Sequence, residues 1–388
     1  MLFLEEELNR IKQANLYREI KVIENTDGRT IAINGKEYLN FCSNNYLGLT
    51  HHPEVIKAAK DAIDKFGTGA GASRLISGTT ILHQQLEEKL AQYKGCEAAI
   101  VFPTGYMANI GTISTILNPT DTDPHTNTVI IDRLNHASII DACKLSKAKL
   151  QVYPHKDMGA LEKILKRSAK FSKRLIVTDL VFSMDGDIAP IQEIATLAQK
   201  YDAMLMTDEA HATGVLTQDT GHRTQDLIIM GTLSKALGSL GGFICGSQEL
   251  IDYLRNKARS FIYTTALPPA NCAAALKALE LLETQPEIQQ KLWENISYFR
   301  SCVLGLESCS SPIIPIIIGE TEKTLEVSAK LFEHGIYVSA IRPPTVPKGQ
   351  SRLRITLSAL HTKEDIKCLA SLLQELIPAA AKQYFAQL

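Results

Sequence analysis

The chain has 388 residues, of which 45% are apolar and 21% are charged. These fractions are ordinary for folded proteins and exclude disordered or collagen-like chains, and the length suits two domains, or two plus an extension. The formal charge is −1 and basic and acidic residues are dispersed, so the sequence lacks the basic face of a nucleic-acid binder and predicts no nucleic-acid partner.

The cysteines and the apolar stretches indicate a reduced compartment and no membrane partner. The eight cysteines form no closely spaced metal-type pair, which favours free thiols of a cytoplasmic enzyme and predicts no metal site. Residues 1–4 are followed by three glutamates, unlike the basic start of an export signal. The longest apolar stretches, such as residues 313–318, are far shorter than the roughly 20 residues of a membrane helix.

In chain order, the first predicted elements are a charged N-terminal helix and a small hairpin. Residues 20–23 and 30–33 are strand-like and flank Asp27-Gly28, a typical hairpin turn. We therefore predict a short N-terminal extension over residues 1–50.

Residues 51–275 alternate between short apolar runs and amphipathic stretches. The runs that we predict as strands are 99–102, 129–131, 150–153, 175–177, 204–206, 227–229 and 242–244. This alternation is typical of an α/β domain with a mostly parallel central sheet.

Residues 276–388 follow a different pattern. The segment 271–300 is rich in Ala, Leu, Glu and Gln and is predicted to be helical, bridging to this part of the chain. Strand candidates at 313–318, 336–339 and 353–357 then alternate with helices near 325–334 and 364–376. The sequence therefore predicts a smaller α+β C-terminal domain.

The strongest chemical signal is a lysine among small and hydroxyl residues, in the run Gly231-Thr232-Leu233-Ser234-Lys235-Ala236-Leu237-Gly238. An amine that forms a Schiff base needs backbone that can approach an aldehyde and a phosphate. Asp208 follows the apolar run 203–207 and so ends a buried strand, where parallel sheets bind ligands. A buried carboxylate can keep the ring nitrogen of pyridoxal phosphate protonated. Lys235 and Asp208 together predict a pyridoxal-phosphate site, although Asp208 alone could cap a loop or helix.

Three other segments suit the same cofactor. His211 could hydrogen-bond the phenolic oxygen of the ring, although a lone histidine is more often structural. The glycine turn at Gly105 follows a strand and opens a helix, whose N–H groups suit a phosphate. His136 could stack on a flat ring, and Asn135 could cap the helix that starts there.

The chain resembles the α-oxoamine synthases, fold-type I pyridoxal-phosphate enzymes that condense an amino acid with an acyl thioester and release carbon dioxide. The resemblance extends over nearly the whole chain. The motifs that carry it are Asn44-Asn45-Tyr46-Leu47-Gly48-Leu49, Gly71-Ala72-Ser73-Arg74, Ser77-Gly78, Asn135-His136-Ala137-Ser138, Phe182-Ser183-Met184-Asp185-Gly186-Asp187, Asp208-Glu209-Ala210-His211, Thr232-Leu233-Ser234-Lys235 and Tyr263-Thr264-Thr265.

The resemblance implies a role for each matching residue. Lys235 would form the Schiff base and act as the catalytic base, Asp208 would pair with the ring nitrogen, and His136 would stack on the ring and assist the thioester oxygen. Further cofactor-binding residues would be Gly105, Tyr106, Ser183, His211 and Thr232, with Thr264 or Thr265 from the second subunit of a homodimer. Arg354 would pair with the amino-acid carboxylate. Arg18, Asn44 and Thr345 would lie on the substrate side.

Within the family, the run Ala340-Ile341-Arg342-Pro343-Pro344-Thr345-Val346-Pro347 resembles members that condense L-alanine with a pimeloyl thioester in biotin biosynthesis. The acyl carrier could be coenzyme A or an acyl carrier protein. Enzymes that use glycine with an acetyl donor, or serine with a palmitoyl donor, remain alternatives, because sequence motifs constrain the acyl pocket loosely. A transaminase and a catalytically silent binding subunit are more distant alternatives, and Lys235 argues against the silent subunit.

Three features depart from the family pattern. Asn45 stands where the family commonly has aspartate, and Asp179-Leu180 replaces a usual Glu-Gly pair. Residues 217–222 differ from the usual glycine-rich, arginine-containing loop. These departures concern substrate-loop detail and leave the predicted lysine and aspartate in place.

Overall fold

The computed structural model describes residues 2–118, 126–216, 227–303 and 310–377. The helices are α1 (Leu2–Gln13), α2 (Pro53–Phe66), α3 (Ile81–Lys94), α4 (Gly105–Ile116), α5 (Ala137–Ser146), α6 (Met158–Arg167), α7 (Ile191–Lys200), α8 (Gln248–Lys257), α9 (Arg259–Ile262), α10 (Pro269–Thr284), α11 (Glu287–Cys302), α12 (Thr321–Glu333) and α13 (Lys363–Leu376). The strands are β1 (Asn25–Thr26), β2 (Thr30–Ile33), β3 (Lys36–Asn40), β4 (Ala98–Phe102), β5 (Asn127–Asp132), β6 (Lys149–Tyr153), β7 (Lys173–Asp179), β8 (Met204–Asp208), β9 (Leu227–Thr232), β10 (Gly242–Gly246), β11 (Ile313–Gly319), β12 (Ile336–Tyr337), β13 (Ser339–Ile341) and β14 (Ser351–Thr356).

Residues 49–183 and 188–286 form the larger of two compact units. Its 7-stranded sheet has the order β4-β10-β9-β8-β7-β5-β6. Strands β9, β8, β7, β5 and β6 run parallel, and β10 is antiparallel to both of its neighbours. The predicted α/β fold with a mostly parallel sheet is confirmed, and each predicted strand of this region is present.

The sheet of the larger unit is buried on both faces. Val129 and Val177 pack into a cluster with helix residues such as Ile113 and Ile139, and the intervening strand residue Ile130 is also fully buried. Strands covered on both sides need no polar alternation. This explains why they are continuous apolar runs in the sequence.

Local signals mark several helix ends. Pro53 opens α2, where its missing N–H costs no hydrogen bond. Gly95 ends α3 in the left-handed conformation, with φ of 62°. Thr362 and Asp365 form a reciprocal capping box at the start of α13.

Residues 1–48, 184–187 and 287–388 form the second unit. It contains a 4-stranded sheet, β1-β2-β3-β12, and a 3-stranded antiparallel sheet, β11-β14-β13. Strand β3 pairs in parallel with β12, with Leu39 opposite Ile336. The N-terminal stretch therefore shares a sheet with the C-terminal region, whereas the sequence predicts a separate extension over residues 1–50. Pairing between distant segments leaves no local signal in the sequence.

The prediction of the first hairpin strand is wrong. Residues 20–23 form no strand, and Ile20 is 94% exposed. The hairpin is formed by β1 and β2, with Thr26 opposite Ile31. The apolar residues of this stretch imitate a strand, but no neighbouring strand covers them.

Two further elements differ from the prediction. The helical segment 271–300 is two helices, α10 and α11, separated at Pro286, which lacks the N–H that a continuous helix needs. The predicted strand 336–339 is divided between the two sheets, since β12 pairs with β3 and β13 pairs with β14. Among the described helices, none combines the length and apolar character needed to cross a bilayer.

Candidate active site

Three parallel strands of the larger unit end in polar residues at one edge of the sheet. Strand β7 ends at Asp179, β8 at Asp208 and β9 at Thr232, and Asp179 is the register partner of Asp208. Parallel strands bring their carboxyl ends to the same edge, which is where open α/β sheets bind ligands. The turn that follows β9 adds Lys235 to this edge.

Asp208 is a buried carboxylate that accepts two hydrogen bonds. Asp208 is only 3% exposed. Nδ2 of Asn109 donates to Oδ2 at 2.8 Å, and the backbone N–H of Ala210 donates to Oδ1 at 2.9 Å. Two directional bonds fix the orientation of the carboxylate, so it presents a defined face to the cavity.

The amine of Lys235 contacts an imidazole. Its Nζ lies 2.7 Å from Nε2 of His211, which follows β8. Oγ1 of Thr232 donates to the carbonyl of Gly241 at 2.8 Å and lies 2.8 Å from Oγ of Ser234. Thr232 and Ser234, hydroxyl residues of the predicted lysine motif, thus close the turn that carries Lys235. An amine beside an imidazole is a pair between which a proton can move.

His136 caps the N-terminus of α5 and lies beside Asp179. The backbone N–H of His136 donates to Oδ2 of Asp179 at 2.9 Å, and its Nδ1 lies 2.7 Å from Oγ of Ser138. Burial lowers the pKa of His136; the negative charge of Asp208 opposes this shift, and the Lys235 cation adds to it. The imidazole is therefore neutral at neutral pH and can contact a flat ring without a charge.

The alternative in which Asn135 caps α5 is wrong. The cap is His136, and Nδ2 of Asn135 donates to the carbonyl of Val177 at 2.8 Å. Asn135 thus ties the start of the helix to β7. An asparagine before a helix is a common capping signal, but here tertiary contact with a neighbouring strand takes its side chain.

Burial raises the pKa of Asp179 well above its ordinary value of 3.8, and the neighbouring charge of Asp208 adds to this rise. Two carboxyl groups at paired positions of adjacent buried strands repel each other when both are ionised. Asp179 is therefore neutral over a wider pH range than an exposed aspartate.

The N-terminus of α4 forms a small cradle at the same edge. Oγ1 of Thr104 accepts from the backbone N–H of Met107 at 3.1 Å, and other N–H groups of the first turn have no acceptor within the helix. A Cβ on Gly105 would lie 2.8 Å from Cε of Met230, and a Cβ on Gly242 would lie 2.5 Å from Cα of Gly105. Both glycines keep this corner tight and open to an anion such as phosphate.

These groups line one cavity of about 240 Å³. Among the predicted site residues, the wall contains Gly105, Tyr106, His136, Asp208, His211, Thr232 and Lys235. The wall also contains residues for which the sequence predicts no role, namely Thr104, Asn109, Ser138, Asp179, Ala210, Met230, Ser234 and Leu240. The sequence signal for Asn109 is its polar amide one turn into α4, between Ala108 and Ile110.

A second cavity of about 510 Å³ lies at the opposite, amino-terminal ends of the same strands. Its wall contains Lys173, Met204 and Leu227, which begin β7, β8 and β9. The Lys173 amine donates to the carbonyl of Ile116 at 3.0 Å. Because ligands of parallel sheets bind at the carboxyl ends of the strands, the smaller cavity is the candidate active site.

Comparison with known proteins agrees with this geometry. The family model of aminotransferase class I and II matches residues 36–373. The chain belongs to this family. The 8-amino-7-oxononanoate synthases of Bacillus pumilus and Thermoanaerobacter pseudethanolicus are similar to it. The first is 46% identical over 384 residues, covering 96% of each chain, and the second is 45% identical over 377 residues, covering 94% of each.

Among solved structures, serine palmitoyltransferase from S. paucimobilis with bound PLP and myriocin has a TM-score of 0.89 and 32% identity. The match covers 99% of this chain and 98% of that one. The predicted membership in the α-oxoamine synthases and the predicted fold type are confirmed by these relatives together.

Three residues predicted to bind the cofactor are not in the described wall of the cavity. These are Ser183, Thr264 and Thr265. Thr265 is exposed and forms an isolated bridge with Ser73. Thr264 and Thr265 are predicted to serve a second subunit, and the roles of all three stay predictions.

The four residues predicted to lie on the substrate side are all in the second unit, where they form two hydrogen-bonded pairs. Arg354 on β14 is 7% exposed, and both of its Nη atoms donate to Oδ1 of Asn44 at 3.3 Å. Nη2 of Arg18 donates to Oγ1 of Thr345 at 3.3 Å. Their roles toward substrate stay predictions.

The structure locates two of the three departures from the family pattern. Asn45 is buried, and its carbonyl accepts from Oγ of Ser358 at 3.1 Å, so this position serves packing within its unit. Asp179 lines the cavity, and the neighbouring Leu180 is buried. The departure at 217–222 lies outside the described residues.

Proposed function

We propose that this chain condenses L-alanine with a pimeloyl thioester, releases carbon dioxide and the free thiol carrier, and forms 8-amino-7-oxononanoate in biotin biosynthesis. Its cofactor is pyridoxal phosphate. The observation that carries the chemistry is the cavity in which the Lys235 amine, the Asp208 carboxylate and the His136 imidazole meet. The product is the one for which relatives 45% and 46% identical over almost the whole chain are named.

The cavity fits pyridoxal phosphate at three points. The cradle at Gly105 suits the phosphate, because α4 begins there and the N–H groups of its first turn have no acceptor within the helix. The buried Asp208 suits a protonated ring nitrogen, and the amine of Lys235 suits the aldehyde. When bound, the cofactor supplies an electron sink for the bonds broken at the α-carbon of the amino acid.

The chain's own residues then handle protons and charges. Lys235 holds the cofactor and, once alanine replaces it, its Nζ accepts the α-proton. His211, 2.7 Å from that Nζ, keeps the amine in place. The neutral imidazole of His136 can donate to the thioester oxygen as negative charge develops there. We further propose that Arg354 pairs with the substrate carboxylate, a bidentate task suited to a guanidinium.

We also propose that the enzyme is a homodimer in the cytoplasm. Ile76 is 81% and Tyr263 72% exposed, and their segments are joined by the bridge between Ser73 and Thr265. Exposed apolar residues on neighbouring segments are typical of a subunit interface, and Thr264 follows Tyr263 in the chain. The described cysteines are free thiols, as in cytoplasmic proteins. Light scattering of the purified protein would measure the subunit number.

The proposed reaction is tested by product analysis. The purified chain, loaded with pyridoxal phosphate, is supplied with L-alanine and pimeloyl thioester, on coenzyme A and on acyl carrier protein in parallel. Glycine with acetyl-coenzyme A and serine with palmitoyl-coenzyme A serve as competing pairs. We expect mass spectrometry to find 8-amino-7-oxononanoate as the main product. A clear preference for either competing pair would contradict the proposal and assign the chain to another α-oxoamine synthase activity.

The first mutational prediction concerns Lys235. We expect Lys235→Ala to abolish turnover and the covalent attachment of the cofactor, because no other amine lies in the described wall of the cavity. Borohydride reduction followed by peptide mass spectrometry should find the cofactor on Lys235 in the unaltered chain. Lys173→Ala, which removes the lysine of the second cavity, is the matched control and should retain turnover. Wild-type turnover in Lys235→Ala would contradict the assignment.

A further inference from the structure

Asn109 stands between the two groups that the proposed function places around the cofactor ring. It lies on α4 and is 1% exposed. Its Nδ2 donates to Oδ2 of Asp208 at 2.8 Å and to Oγ of Ser138 at 2.9 Å. An amide nitrogen carries two protons, and this one uses both. Because a carboxylate only accepts, the nitrogen and not the oxygen of Asn109 faces Asp208.

Ser138 continues this chain of bonds to His136. Oγ of Ser138 accepts the proton from Asn109 and lies 2.7 Å from Nδ1 of His136. The backbone N–H of Ser138 also donates to this Nδ1, at 3.3 Å. Nδ1 is thus an acceptor that receives the hydroxyl proton. The neutral imidazole therefore carries its own proton on Nε2.

We propose that Asn109 is a positioning residue that sets two active-site groups with one amide. One of its protons orients the Asp208 carboxylate, and the other, relayed by Ser138, fixes the His136 tautomer with the proton on Nε2. This inference rests on the proposed function, in which Asp208 faces the cofactor ring nitrogen and His136 donates to the thioester oxygen.

Stability alone does not account for the amide at this position. Oδ1 of Asn109 is buried and has no hydrogen-bond partner among the described residues. A buried polar atom without a partner costs free energy, and asparagine is a weaker helix former than its neighbour Ala108. The residue therefore carries a cost that the network around Asp208 and His136 explains.

A purely structural role of Asn109 would leave the tautomer of His136 unchanged, so this tautomer is the first readout. The full-length chain is labelled with ¹⁵N-histidine, loaded with pyridoxal phosphate and studied by long-range ¹H–¹⁵N NMR before any substrate is added. The signal of His136 is assigned by its loss in His136→Gln. We expect the Nε2–H tautomer in the unaltered chain and in Ser138→Thr, which keeps the hydroxyl. In Ser138→Ala and Asn109→Ala we expect the Nδ1–H tautomer to gain population, because the backbone N–H of Ser138, at 3.3 Å, is a weaker donor to Nδ1 than the positioned hydroxyl at 2.7 Å.

The second readout separates the two limbs of the network. The pH midpoint of the visible absorbance of the bound cofactor should shift in Asn109→Ala, because Asp208 loses a donor. It should stay unchanged in Ser138→Ala, which leaves the bond between Asn109 and Asp208. We expect kcat/KM for the condensation to fall roughly 10²-fold in Asn109→Ala, the scale of a misplaced reacting group.

Asn127 offers a matched control. It is also buried, its Nδ2 donates to the carbonyl of Leu117 at 3.1 Å, and its Oδ1 likewise has no partner among the described residues. Asn127→Ala should change thermal stability without moving the tautomer or the absorbance midpoint. An unchanged tautomer in a folded Ser138→Ala or Asn109→Ala chain would overturn the inference. Since the NMR experiment needs no turnover, it stands or falls separately from the proposed substrates.

Discussion

Asp179 and Asp208 are the same residue type at paired positions of neighbouring strands, yet their surroundings differ. Asp208 accepts one N–H from Asn109 and another from Ala210. Asp179 accepts the backbone N–H of His136, and burial with the Asp208 charge raises its pKa well above the ordinary value. The two side chains are almost equally buried, at 2% and 3% exposed, and differ in the hydrogen bonds that they accept, so the comparison shows that donors as well as burial shape the surroundings of a carboxyl.

We expect the largest effect from replacing Asp208. We expect Asp208→Asn to lower kcat/KM by roughly 10²- to 10³-fold, the scale seen when one preorganised electrostatic group is removed. The amide keeps the shape of the side chain but loses the charge that would hold a proton on the cofactor ring. Steady-state kinetics with alanine and pimeloyl thioester measure this loss.

Asp208→Glu is the companion variant, since it keeps the charge and moves it. We expect a smaller loss than in Asp208→Asn, because the longer carboxylate stays negative but misses the N–H groups of Asn109 and Ala210. Equal losses in the two variants would show that position matters as much as charge. Activity in Asp208→Asn near that of the unaltered chain would remove Asp208 from the proposed mechanism.

The sequence reveals Asp208 more readily than Asp179 for a physical reason. Asp208 ends a mainly apolar strand and is followed along the chain by a lysine in a hydroxyl-rich turn, so the pattern along the chain suffices. The surroundings of Asp179 come from α5 and from the neighbouring strand, which no local pattern records. Asn109 is hidden for the same reason, because its partners lie on β8 and α5.

The same distinction holds for the fold. Strands buried on both faces, such as β5 and β7, are predicted because their composition alone reflects their environment. Strand β3 is short, mixes polar and apolar residues without a regular pattern, and is defined by pairing with β2 and the distant β12. Residues 20–23 show the opposite error. Their apolar run predicts a strand, but the run has no partner strand and stays exposed.

An intermediate effect is expected in the pH dependence of stability. The folded-state pKa of Asp179 is raised above 3.8, so the folded chain holds a proton that the unfolded chain has released. The stability from this group is therefore complete below about pH 3.8 and falls as pH rises toward the folded-state pKa, by up to about 1.4 kcal/mol per pH unit. Asp179→Asn, which cannot ionise, should lack this decline.

Urea unfolding of both chains between pH 5 and pH 8 would check this expectation, with the two pH limits set at about one and four units above the ordinary pKa of aspartate. The free energy of unfolding of Asp179→Asn, relative to that of the unaltered chain, should rise as the pH rises toward the folded-state pKa of Asp179. A constant difference between the chains would contradict the raised pKa.

The smallest effect is expected on turnover in Asp179→Asn. The asparagine Oδ1 can still accept the backbone N–H of His136, and a neutral amide resembles the protonated carboxyl that it replaces. We expect kcat/KM to stay within about threefold of the unaltered chain, less than about 0.7 kcal/mol in barrier height. Asp179→Ala removes the acceptor and should cost about tenfold in kcat/KM, because the backbone N–H of His136 then loses its acceptor within the protein. If Asp179→Asn and Asp179→Ala lost activity equally, the ionised carboxylate of Asp179 would itself be required. Asp179 would then act as a negative charge at its strand end, as is proposed for Asp208.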